Sequence, residues 1–134
     1  VSSRRVRSPW WAFQVWPALL CTLLILLLGS LRQGPPGPQQ LNDKTLHFIG
    51  FGVAAGLWCR ACRHLWPGAT MRSTALRGFA ASTALGALLE LWQAFLPYRS
   101  AELLDWIADA LGAALVALLM VAFWRLAGRG AVRS

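Results

Sequence analysis

The residues of this chain that could do chemistry are few, and their spacing groups them. Asp43 and His47 are four apart, Glu90 and Gln93 three apart, and Asp105 and Asp109 four apart. At helical spacing each pair shares one face. Lys44 and Arg99 lie close to them in the sequence. Carboxylates gathered around one imidazole can exchange protons, hold a polar head group, or offer oxygen and nitrogen donors to a divalent ion.

The elements that carry these residues are apolar helices. The chain has 134 residues, of which 57% are hydrophobic and 13% charged, with a mean hydropathy of +0.50. A soluble domain carries roughly 25% charged residues. The apolar residues come in long blocks without the period-2 alternation of a membrane barrel. The expected fold class is therefore all-α, an integral membrane bundle of four transmembrane helices forming one domain over residues 1–134. The four segments run over about 10–31, 43–62, 74–97 and 101–127. Each is near the roughly 20 residues that cross a bilayer core. Pro-rich residues 33–40, Pro67-Gly68 and Pro97-Tyr98-Arg99-Ser100 separate them. A signal peptide is the rival reading of the first segment. Its long apolar run and the lack of a small-x-small site after it favour an uncleaved anchor.

Charge sets the orientation. Arg4, Arg5, Arg7, Arg60, Arg63, Arg72, Arg77, Arg125, Arg129 and Arg133 fall on one side with no acid. Arg32, Lys44 and Arg99 fall on the other with all five acids. The arginine-rich side is expected to be cytoplasmic, which puts both termini inside. Trp10, Trp11, Trp58, Trp66 and Trp124 mark the inner interface, and Trp92 and Trp106 the outer one. The net charge of +8 is thereby explained without nucleic acid, and none is expected as a partner.

The acids are the anomaly. Glu90 lies seven residues before Pro97, hence about 10 Å inside that helix at 1.5 Å per residue, and Asp109 is expected at a similar depth. A charge in hydrocarbon costs about 2.5 kcal/mol or more. The carboxylates must turn inward, where the available partners are His47, Lys44, Gln93 and Arg99. The expected polar pocket thus comprises Asp43, Lys44, His47, Glu90, Gln93, Arg99, Asp105 and Asp109 at the outer face. Helices two, three and four build it, and helix one packs outside.

These residues, in this order, resemble the VanZ-like family. Its pattern opens with Asp-Lys-x-x-His-Phe, matched by Asp43, Lys44, His47 and Phe48. Glu-x-x-Gln follows, matched by Glu90 and Gln93, then Pro-x-Arg and a later Asp, matched by Pro97, Arg99 and Asp105. Asp109 and Gly112 complete it. The resemblance spans about residues 41–120. The chain departs from the pattern at Asp109, where Asn is common, at Tyr98, where Gly is common, and at Glu102, where a small residue is usual. The resemblance implies a small multi-helix protein of the bacterial cytoplasmic (inner) membrane. It also implies a link to resistance against teicoplanin, a lipid-bearing glycopeptide. A phosphotransbutyrylase activity ascribed to some members would need a nucleotide or acyl-thioester motif, which this chain lacks.

Three functions remain open on these residues. One is an outer-leaflet pocket for a lipid-linked or lipid-bearing cell-envelope molecule. Another is an accessory subunit of a larger membrane complex or a homo-oligomer. The third is a carboxylate-dependent enzyme or proton-coupled transporter. Membrane lipids are the common partner. The donors around His47 suit zinc or manganese, but only one histidine is present and the ligand order matches no metal signature, so no metal and no cofactor is expected. Cys59-Arg-Ala-Cys62 offers too few ligands for structural zinc and is expected to be a pair of free thiols. Gly52 and Gly56, and Gly78, Ser82 and Gly86, form small-residue stripes expected to pack inside the bundle, with a dimer face as the alternative.

Overall fold

A computed structural model describes residues 10–31 and 40–130, with side chains over 13–31 and 43–127. Arg4, Arg5, Arg7, Arg32, Arg133, the Pro-rich residues 33–39, and the side chains of Trp10, Trp11 and Arg129 lie outside the described residues. The described residues form four helices and no strand: α1 (Trp10–Gly29), α2 (Gln40–Leu65), α3 (Met71–Gln93) and α4 (Leu103–Gly130). The all-helical expectation holds. Asp43–Leu65 of α2 and Leu103–Ala127 of α4 are long and apolar enough to cross a membrane, whereas Phe13–Gly29 of α1 is a shorter apolar stretch.

The packing is inside-out relative to a soluble domain. Large apolar side chains point outward, among them Leu20, Leu28, Leu88, Leu103, Leu118 and Phe123. The interior holds Ala54, Ala55, Ala61, Ala75 and Ala113, together with the polar residues Thr74, Ser82, Gln93 and Asp109. Water would drive the large residues in and the polar ones out. In lipid that drive would be absent, and close packing of small residues would be the source of helix association.

The glycine stripes are used inside the bundle. A Cβ at Gly52 would stand 3.2 Å from the Gly112 carbonyl oxygen and from Val116 on α4, and one at Gly56 would stand 3.2 Å from Val116. A Cβ at Gly78 would strike Cys59 and stand 2.7 Å from its backbone nitrogen. Ser82 Oγ donates to the Phe51 carbonyl at 2.8 Å. Three helices, α2, α3 and α4, thus meet nearly backbone to backbone. Helix α1 packs on α2 and, less extensively, on α3, and has no contact with α4 among the described residues.

The helices alternate in direction. One end holds Arg63 stacked 5.0 Å over Trp124 and Arg77 stacked 4.8 Å over Trp66. Thr70 caps α3 there, its Oγ1 accepting from the Ser73 N–H at 3.1 Å. Cys59 and Cys62 are free and buried towards this end, as expected. The opposite end holds all five acids.

Every helix boundary but the start of α1 differs from the sequence expectation by two to four residues, and two of the differences bear on the site. Helix α3 ends at Gln93, four residues before Pro97. Phe95 and Leu96 donate to Trp92 and Gln93 in tightened turns, because the residue before a proline is driven out of the helical region. Helix α4 starts at Leu103, so the connection is longer than a tight turn. Glu90 consequently lies in the last turn of α3, not about 10 Å inside the helix.

Candidate functional site

Helix α2 enters the site with its first turns. The His47 ring stacks on Phe51 with centroids 6.0 Å apart and planes 11° apart, as expected for residues one turn apart. His47 Nδ1 lies 2.8 Å from Asp109 Oδ1 on α4. Asp109 is fully buried and His47 nearly so. Lys44, on the neighbouring flank, donates to Asp105 Oδ1 at 2.6 Å and to Glu102 Oε2 at 3.1 Å.

Helix α3 contributes Glu90, whose Oε2 accepts the backbone N–H of Glu102 at 2.7 Å. The Glu102 carbonyl in turn accepts from the amides of Asp105 and Trp106. Glu102 therefore opens α4, and Glu90 takes one of the N–H groups that helix geometry leaves without an intrahelical partner. Trp106 Nε1 ties α4 to α3 through the Thr83 carbonyl at 3.1 Å.

The arrangement leaves two oxygens over. Glu90 Oε1 and Asp109 Oδ2 are buried and have no hydrogen-bond partner among the described residues. Asp109 Oδ2 fits only because Gly86 lacks a side chain, since a Cβ there would stand 2.6 Å from it. Glu90 is one turn further along that same face of α3. Donor atoms from His47, Glu90 and Asp109 lie within 4.8 Å of one another, and those of Asp43, His47 and Asp105 form a second such set. His47 belongs to both.

Six of the eight expected residues converge here: Asp43, Lys44, His47, Glu90, Asp105 and Asp109. Gln93 does not. Its Nε2 donates to the Gly29 carbonyl of α1 at 2.8 Å. Trp92 Nε1 reaches Ser30 Oγ at 3.0 Å, and the Tyr98 hydroxyl reaches the Ser30 carbonyl at 3.1 Å. The carbonyls at the end of α1 need donors, and α3 and its following turn supply them. Helix α1 is therefore stapled to the rim of the site, more closely than packing outside it implied. Arg99 is half-buried and makes no ion pair among the described residues.

Glu102 is the residue that sequence reasoning left out of the site. It was legible only as a departure from a small residue. Its two functions, an amide for Glu90 and a carboxylate for Lys44, depend on where α4 begins.

The chain matches the family model described as VanZ/LLP1 over residues 8–125, most of its length. No curated relative and no solved structure matches it.

Proposed function

The chain belongs to the VanZ/LLP1 family, and from that premise we propose that it is a multi-pass protein of the bacterial cytoplasmic membrane, with both termini inside. Its polar site binds, from the outer face, the polar head of a lipid-linked or lipid-bearing cell-envelope molecule. The observation that carries this reading is the burial of His47, Glu90, Asp105 and Asp109 together at the end opposite the arginine–tryptophan pairs. Intramembrane ionisable residues are costly to keep and favour a functional role. The unsatisfied oxygens of Glu90 and Asp109 favour a head group rich in hydroxyl, amide or amine donors. Lys44 is already held by two carboxylates, so Arg99 is the cation in this region better able to meet an anionic group.

The small-residue stripes pack within the bundle, which favours the pocket reading over an accessory subunit that docks through them. Native mass spectrometry of the purified protein with envelope lipid extract tests the proposal. The wild type should retain a lipid-linked species that the Glu90→Ala, Asp105→Ala double variant loses. Equal retention by both would sink it. A link to glycopeptide resistance would appear as raised teicoplanin tolerance in a host expressing the wild type but not the double variant.

A further inference from the structure

Beyond lipid binding, we propose that His47, Glu90 and Asp109 form a binding site for one divalent transition-metal ion, zinc or manganese, at the junction of α2, α3 and α4. One donor atom from each residue lies within 4.8 Å of the others. Two ligands of one ion, each about 2.1 Å from it, stand at most about 4.2 Å apart. A small contraction brings the three onto an ion.

The independent indication is the pair of stranded oxygens. Glu90 is 8% exposed and Asp109 0% exposed, and Glu90 Oε1 and Asp109 Oδ2 have no donor among the described residues. A buried carboxylate oxygen without a partner is costly. The remaining contacts look like support for a ligand set. Glu90 is fixed through its other oxygen by the Glu102 amide at 2.7 Å, and the His47 ring is fixed by stacking on Phe51. Support of this kind orients metal ligands.

Charge points the same way. A neutral imidazole and two carboxylates balance a divalent ion, whereas Lys44 is engaged by Asp105 and Glu102. That engagement also decides between the two donor sets. An ion between Asp43, His47 and Asp105 would compete with Lys44, which holds Asp105 Oδ1 at 2.6 Å, while the inner set offers Glu90 Oε1 and Asp109 Oδ2, which have no donor among the described residues, and only its His47–Asp109 contact would have to yield. One imidazole nitrogen with carboxylate oxygens suits zinc or manganese better than calcium or magnesium, which take oxygen alone. Three protein ligands leave positions open to water or a head-group oxygen.

The test uses the full chain in phosphatidylcholine nanodiscs, without any envelope lipid, so it stands or falls apart from the lipid reading. The protein is stripped with a chelator, re-equilibrated with Zn2+ or Mn2+, and its bound metal counted by plasma mass spectrometry. The expected result is about one ion per chain. Binding should weaken at least about tenfold in Glu90→Gln and His47→Gln, and stay unchanged in Arg125→Gln, an exposed position away from the site. A measurement needing no variant accompanies it. Chelation should lower the thermal unfolding temperature of the wild type, and the same ion should restore it. Failure of the wild type to retain either ion, equal retention by all variants, or a thermal transition indifferent to chelator and metal would each overturn the proposal. In that case the carboxyl groups are neutralised by protons instead.

Discussion

Gly112→Ala should part α2 from α4 and unmake the polar site, although it adds one methyl group and alters no charge. An ideal Cβ at Gly112 runs into the Phe48 carbonyl oxygen and stands 2.8 Å from the Phe48 carbonyl carbon and 3.1 Å from its Cα. Non-bonded carbons rest at about 3.5–4.0 Å. The obstacle is backbone and cannot swing aside, so the helices must separate locally by at least about 0.7 Å. His47 immediately precedes Phe48, and Asp109 lies one turn before Gly112. The separation therefore falls on their 2.8 Å contact and lengthens it to about 3.5 Å, near the distance where a hydrogen bond ceases to count as one.

Overpacking of this kind costs about 1–3 kcal/mol. Leaving a buried polar partner unsatisfied adds about 1–3 kcal/mol. The expected destabilisation is thus roughly 2–6 kcal/mol, read by equilibrium unfolding in mixed micelles. Gly50→Ala is the matched control, because a Cβ at that α2 position meets nothing within 4 Å. It should be neutral or stabilising by up to about 1 kcal/mol through helix propensity. If Gly112→Ala unfolds like Gly50→Ala, the close approach of α2 and α4 is not what holds His47 against Asp109.

Three further outcomes follow from the contacts. Gln93→Ala leaves the Gly29 carbonyl without its donor, and should cost about 1–2 kcal/mol in the same assay while sparing metal retention. Lys44→Met removes the cation from Asp105 and Glu102. Because the lysine is partly exposed, the loss should be about 1–2 kcal/mol, smaller at high salt, and partly recovered by adding Asp105→Asn. Ser100→Cys, in a chain whose native cysteines are replaced by serine, should react with a membrane-impermeant maleimide from outside intact cells, whereas Gly68→Cys should not; the reverse pattern would invert the proposed orientation.

The helices were legible because apolar length and loop chemistry are local properties. So was the gathering of Asp43, His47, Asp105 and Asp109, since spacing alone assigns each pair to one helix face. Gln93 shows where that reasoning stops. Its spacing from Glu90 put both on one face of α3, but which neighbour that face meets is set by α1, whose last carbonyls need donors. The end of α3 was misplaced for a related reason. Pro97 marks where a helix can no longer run, not where it yields to tighter turns. Glu102 was invisible as a site residue because it acts first through its amide, and every residue type but proline carries that group.

The acids and the glycines, read separately from the sequence, turn out to be one feature. Asp109 is fully buried with a carboxylate oxygen lying where a Cβ of Gly86 would be. It reaches His47 because Gly112 lets α4 lie against the backbone of α2. Any side chain at Gly86 would collide with the carboxylate, and any at Gly112 would push the imidazole away. Small residues that merely packed three helices would tolerate Asn, Leu or Thr at position 109, provided the volume was similar. A carboxylate set into a glycine recess, with one oxygen on an imidazole and the other without a partner among the described residues, is a poor staple. It leaves a buried charge to be neutralised. A cationic partner held between Asp109, Glu90 and His47 would neutralise it, and the glycine recess is what leaves that carboxylate in place to receive one.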